Sequence, residues 1–118
     1  MSAYRLPRDL WSRAESLAEL GLDELAWPPE DATRVLDLLG MTAIAVLGGD
    51  VYVRRDKRFE PAYENWSVEQ GPTEDPAAFA ARSRAIAKTY LARLQDAPCA
   101  VTHWVTLVLT EPLEPADD

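Results

Sequence analysis

The sequence predicts one α+β domain: a mostly antiparallel sheet of about four strands, with helices packed mainly on one face, in the order ααβββαβ. Three observations predict it. Apolar residues recur at helical spacing as far as about Leu39. From Met41 to Val68 the pattern changes to apolar runs and strict alternation. A long helical period then leads into a final strand-like run. At 118 residues the chain fits a single ordinary domain, and its 47% apolar content fills a core without disulfides or a structural metal.

The first predicted helix runs from about Pro7 to Leu20, with Leu10, Ala14, Leu17 and Ala18 on one stripe and Gly21 as the residue that ends it. A turn then delivers Leu25 and Trp27 ahead of a double proline. The second helix spans about Pro29–Leu39. Ala32, Val35, Leu36 and Leu39 form its buried stripe, and Glu30 and Asp31 suit its positive N-terminal end. Thr42–Leu47 is an apolar run of strand length, predicted to be buried on both faces and ended by Gly48-Gly49.

Asp50–Arg54 and Tyr63–Val68 both alternate, so they read as a hairpin joined by the polar loop Arg55–Pro61. Because a sheet face is either buried or wet, apolar positions should oppose apolar positions. That argument pairs Val51 with Trp66 and Val53 with Glu64, leaving Glu64 as the one misfit. Val51 and Trp66 then face the core, while Asp50, Tyr52, Tyr63 and Asn65 face away. The third helix covers about Pro76–Gln95, with Phe79, Ser83, Ile86, Ala87, Tyr90 and Leu94 inward and Arg82, Arg84, Lys88 and Arg93 on the other sides. Cys99–Thr110 reads as a long strand. Residues 1–110 form the domain, and the polar, proline-broken 111–118 form a frayed tail.

Composition excludes several functions. A net charge of −8 opposes any broad attraction to nucleic acid or anionic membranes and steers encounter with a basic partner. No apolar run approaches the roughly 20 residues that span a bilayer, and the N-terminus lacks an apolar signal core, which predicts a cytoplasmic protein. Cys99 is the single cysteine and His103 the single histidine, so no zinc site and no internal disulfide can be built, and no metal or cofactor is expected. His103 lies in a strand among valines, where a sheet-face role outweighs that of a catalytic base. Gly48-Gly49-Asp50 is followed by a strand and lacks the Lys-Ser/Thr pair, so it reads as a bend or bulge in a strand and not as a phosphate loop.

Two groups are candidate contact residues. Tyr52, Tyr63 and Asn65, beside Asp50 and Arg54, have the composition of a binding patch, unless another helix covers that face and the tyrosines are core. The acidic run Glu60, Glu64, Glu69, Glu74 and Asp75 includes no basic residue from Pro61 to Pro76. Either the basic outer face of the third helix neutralises it, or it is kept for a basic partner.

Gly21-Leu22-Asp23-Glu24-Leu25-Ala26-Trp27, Leu47-Gly48-Gly49-Asp50-Val51-Tyr52, Pro61-Ala62-Tyr63-Glu64-Asn65-Trp66 and the helix bearing Arg82–Tyr90 together resemble the immunity protein 40 family over about residues 15–110. Ala62 and Glu64 stand where the family pattern has threonine and aspartate. The resemblance implies an immunity component of a bacterial polymorphic toxin system, a protein that binds a cognate toxin domain in the cytoplasm and is not an enzyme. It carries over no catalytic residue. By position, Gly48, Gly49 and Trp66 match its signature as structural residues, and Asp50, Tyr52, Tyr63 and Asn65 match it as candidate contacts, joined on charge grounds by Glu69, Glu74 and Asp75. The competing reading is a small hydrolase or ligand-binding enzyme using Asp50, Glu64 and His103.

Overall fold

The central sheet is organised by one long hairpin. In the computed structural model, which describes residues 3–96 and 102–117, β4 (Val46–Arg55) pairs antiparallel with β5 (Arg58–Ser67). On the other side of β4 lie β6 (Thr102–Val105) and the short β7 (Val108–Leu109), both antiparallel to it. The predicted α+β class is the observed one. Cys99 and the start of the predicted last strand lie outside the described residues.

The hairpin turns more tightly than the predicted seven-residue loop. Arg55 pairs with Arg58 around Asp56-Lys57, both at positive φ, as a two-residue turn that follows the strand twist requires. Gly48-Gly49 does not end a strand but lies inside β4. Trp66 sits opposite Gly49, and Val51 opposite Glu64, two residues from the expected register. The ring decides this: a Cβ at residue 49 would stand 2.6 Å from Cη2 of Trp66 and 2.1 Å from the carbonyl oxygen of Thr106. Gly48, at φ 152°, adopts a conformation that side chains disfavour. A slip of two preserves the faces, since side chains alternate with period two. Val51 and Trp66 therefore still point into the main core together.

That core lies between the sheet and two helices, α2 (Pro29–Leu38) and α3 (Pro76–Asp96). Both were predicted, and Ala32, Val35, Leu36 and Leu39 are buried as expected. On α3, Ile86 is exposed and Leu91 takes its place inside. Arg84, expected outside, is buried because its guanidinium donates to the carbonyls of Ile44 (2.7 Å) and Thr42 (3.1 Å).

Those carbonyls belong to the segment predicted as a doubly buried strand; it becomes a strand only at Val46, and Leu47 is exposed, so it is not buried on both faces. Residues 42–45 draw largely on side-chain partners, beside the backbone bond from Thr110 N–H to the Ala45 carbonyl. Ile44 N–H donates to Thr42 Oγ1, Ala45 N–H to Thr110 Oγ1, and Val46 N–H to Ser83 Oγ. Every buried backbone group needs a partner, and side chains supply these.

The N-terminal segment departs furthest from expectation. Its helix is only α1 (Arg8–Trp11), and β2 (Glu15–Ser16) pairs with β3 (Leu25–Ala26), with a 3-10 turn at Ala18–Leu20 closed by Gly21 at φ 77°. Leu10 enters the main core, whereas Leu17 enters a second cluster with Ala26, Tyr52, Phe59 and Trp104. One continuous helix could not serve both clusters. The last strand breaks at Thr106, whose Oγ1 accepts the Asp50 N–H at 3.0 Å. The segment expected to fray instead forms β8 (Leu113–Pro115), parallel to β1 (Tyr4–Leu6), because Leu113 has main-core residues to pack against.

Candidate functional site

The candidate contact residues divide into those at the surface and those consumed by the fold. Tyr63 is 93% exposed at φ 57°, a conformation a bulky residue rarely adopts. It stands at an irregularity in β5: Val51 pairs with Glu64 and Tyr52 with Pro61, so Ala62 and Tyr63 have no partner on β4. Asp50 and Asn65 pair across the hairpin and are also exposed. All three lie at the surface.

Tyr52 does not join them. It is 7% exposed in the second cluster, beneath Leu17 and Ala26 of the N-terminal segment. The alternative that this face is covered holds, and what covers it is irregular chain, not a helix. Burial raises the Tyr52 hydroxyl above its ordinary pKa, helped by Asp50 and then Glu24. In the same cluster the Arg54 guanidinium lies 4.9 Å from the Phe59 ring and 5.3 Å from that of Trp104, and pairs with Glu15 at 3.1 Å.

The acidic run is largely engaged within the fold. Glu74 accepts two hydrogen bonds of 2.8 Å from the Arg82 guanidinium and one of 2.9 Å from Gly71 N–H, which lower its carboxyl to about 2. Asp75 accepts the N–H groups of Ala77 and Ala78 and so caps α3. Glu60 pairs with Arg55, and Glu64 accepts a 2.5 Å bond from the Tyr90 hydroxyl. Burial first, then that bond, holds the Tyr90 hydroxyl well above its ordinary pKa. Glu69 is exposed, and its carbonyl receives Arg82. Basic α3 thus neutralises part of the run, the first of the two outcomes weighed above.

Trp66 stacks on Tyr90 at 4.7 Å, forming the floor of a cleft of about 540 Å³ between β5 and α3. Next to it, Glu64 and His103 share a small cavity of about 210 Å³ with Tyr90, Arg93 and Leu94. Asp50 is adjacent in sequence to Val51, which opposes Glu64, so its side chain projects from the other face of the sheet. The Asp50–Glu64–His103 trio is not assembled. Among the described residues, no group of three or more His, Cys, Asp or Glu side chains is placed to hold a metal ion. No described helix is long and apolar enough to cross a membrane.

Sequence reasoning missed a cavity of about 440 Å³ at the opposite edge of the sheet. There Trp27 extends β6 through mutual hydrogen bonds of 2.8 Å with Val105. Trp11, Trp27 and Leu113 line it, with Asp23, Glu24 and Glu111. The local signal was the acidic pair beside Leu25 and Trp27. Nothing in the sequence shows that residues 107–113 fold back to meet it.

The fold and its surface define a class: a small α+β domain that offers aromatic and acidic groups on its central hairpin and does not bring Asp50, Glu64 and His103 together. Residues 16–109 match the model of the family described as Immunity protein 40, and the chain belongs to that family. No curated protein and no solved structure matches it.

Proposed function

We propose that this chain is a cytoplasmic immunity protein that protects the producing cell by binding a cognate toxin domain of a polymorphic toxin system. Membership of the immunity protein 40 family carries this reading. The net charge of −8 supports it, since it speeds encounter with a basic partner. So does Tyr63, an exposed rigid aromatic of the kind that gives contact area at low entropy cost. The contact surface on the hairpin side is Tyr63, Asn65, Asp50 and Glu69. Glu74 and Asp75 serve it by holding the loop before α3, and Tyr52 by supporting β4 from beneath.

The test is co-expression with the toxin domain encoded beside the gene, followed by purification of the complex. Rescue should accompany a stable complex, and an unrelated toxin domain should give neither. His103→Gln should still protect. Rescue through covalent alteration of the toxin, with no complex formed, would overturn the reading in favour of an enzyme.

A further inference from the structure

We propose that the cavity between Trp11 and Trp27 receives an arginine side chain of the toxin. The inference rests on the toxin-binding reading and names the contact.

The cavity, of about 440 Å³, has apolar walls: the half-buried Trp11 with Leu25, Leu107, Leu109 and Leu113, and the fully buried Trp27 among its lining residues. The residues that line it include three acidic ones, Asp23, Glu24 and Glu111. Several other carboxylates are engaged within the fold. Glu15, Asp31, Glu60 and Glu74 each pair with an arginine, and Glu64 takes the Tyr90 hydroxyl. The carboxylates of Asp23, Glu24 and Glu111 make no hydrogen bond or ion pair with any described residue. Acidic groups left open around an apolar, aromatic recess demand a cation that also tolerates desolvation.

Arginine meets both demands. Its guanidinium is weakly hydrated, stacks on indole and forms paired hydrogen bonds with carboxylates, and its methylene stem lies against leucine. An ammonium is more strongly hydrated and gains less from the indoles. The walls come from three distant parts of the chain, α1, the Leu25–Trp27 segment and residues 107–113, so the recess exists only in the folded protein.

Affinity for the toxin domain encoded beside the gene is to be measured by calorimetry for the wild type, for Trp11→Ala and for the isosteric triple variant Asp23→Asn, Glu24→Gln, Glu111→Gln. The triple variant should bind about tenfold or more weakly, at unchanged thermal midpoint. Each exposed arginine of the toxin is then changed to alanine against both partners. One of them should weaken binding to the wild type and have no further effect on the triple variant. Coupling to a lysine or to an apolar residue would overturn the arginine assignment. Equal affinity of wild type and triple variant would show that the cavity is not the contact, and toxin binding would stand. If the triple variant unfolds, the same arginine scan against Trp11→Ala decides. No complex with the wild type would overturn both readings.

Discussion

The two edges of the central sheet handle the same problem, an acidic surface beside aromatic groups, in opposite ways. At the β5 edge, α3 supplies the partners: Arg82 clamps Glu74, Tyr90 donates to Glu64, and Trp66 is covered by Tyr90. At the Trp27 edge the carboxylates of Asp23, Glu24 and Glu111 make no hydrogen bond or ion pair with any described residue, and the half-buried Trp11 lines the same cavity. Charge was therefore a poor guide to availability. The longest acidic run in the sequence is tied into the fold, and a scattered set of carboxylates is not.

The largest expected effect tests whether the β5 edge is where stability resides. Trp66→Ala removes a buried ring that fills the space above Gly49, and should cost roughly 3–5 kcal/mol in urea denaturation. Trp11→Ala, at the half-buried rim of the other edge, should cost roughly 1–2 kcal/mol. Equal losses would break the comparison.

Arg84→Ala tests α3 through polar groups, at the segment that leads into β4. It would strand the carbonyls of Thr42 and Ile44, at a cost of about 1–3 kcal/mol. A thermal midpoint unchanged in the variant would mean that water replaces the guanidinium there.

The Glu74 clamp gives a pH dependence. Its folded carboxyl lies at about 2, below its ordinary value of 4.5, so the stabilisation is fully present above pH 4.5. It is lost as pH falls from there towards 2. Glu74→Gln should flatten this part of a stability-versus-pH curve and lower stability at neutral pH. If wild type and variant trace parallel curves through this range, the clamp contributes nothing.

Tyr63→Gly should have the smallest effect on folding and sharpen the contrast between stability and contact. Glycine relieves the positive φ of 57° but loosens the unfolded chain, so stability should change by no more than about 1 kcal/mol. Toxin affinity should nevertheless fall. A variant that binds as tightly as the wild type would remove Tyr63 from the contact surface.

The sequence by itself determined what depends on local period. α2 and α3 lie within a residue or two of their predicted bounds, because each carries a continuous apolar stripe and a proline start. The placement of Val51 and Trp66 on the core face was legible because alternation fixes face even when register slips by two. Of the candidate site, Asp50 and Asn65 lie at the surface for the same reason, whereas Tyr63 is exposed at the irregularity in β5. Tertiary structure decided the remainder. The register followed from the fit of Trp66 over Gly49, and the path of residues 42–45 from Ser83, Arg84 and Thr110. The burial of Tyr52 came from a segment that shows no strand period, and the docking of Leu113–Pro115 from β1 at the far end of the chain. These contacts join residues distant in sequence through single side chains. A period reports only what neighbours along the backbone share, so it is blind to them.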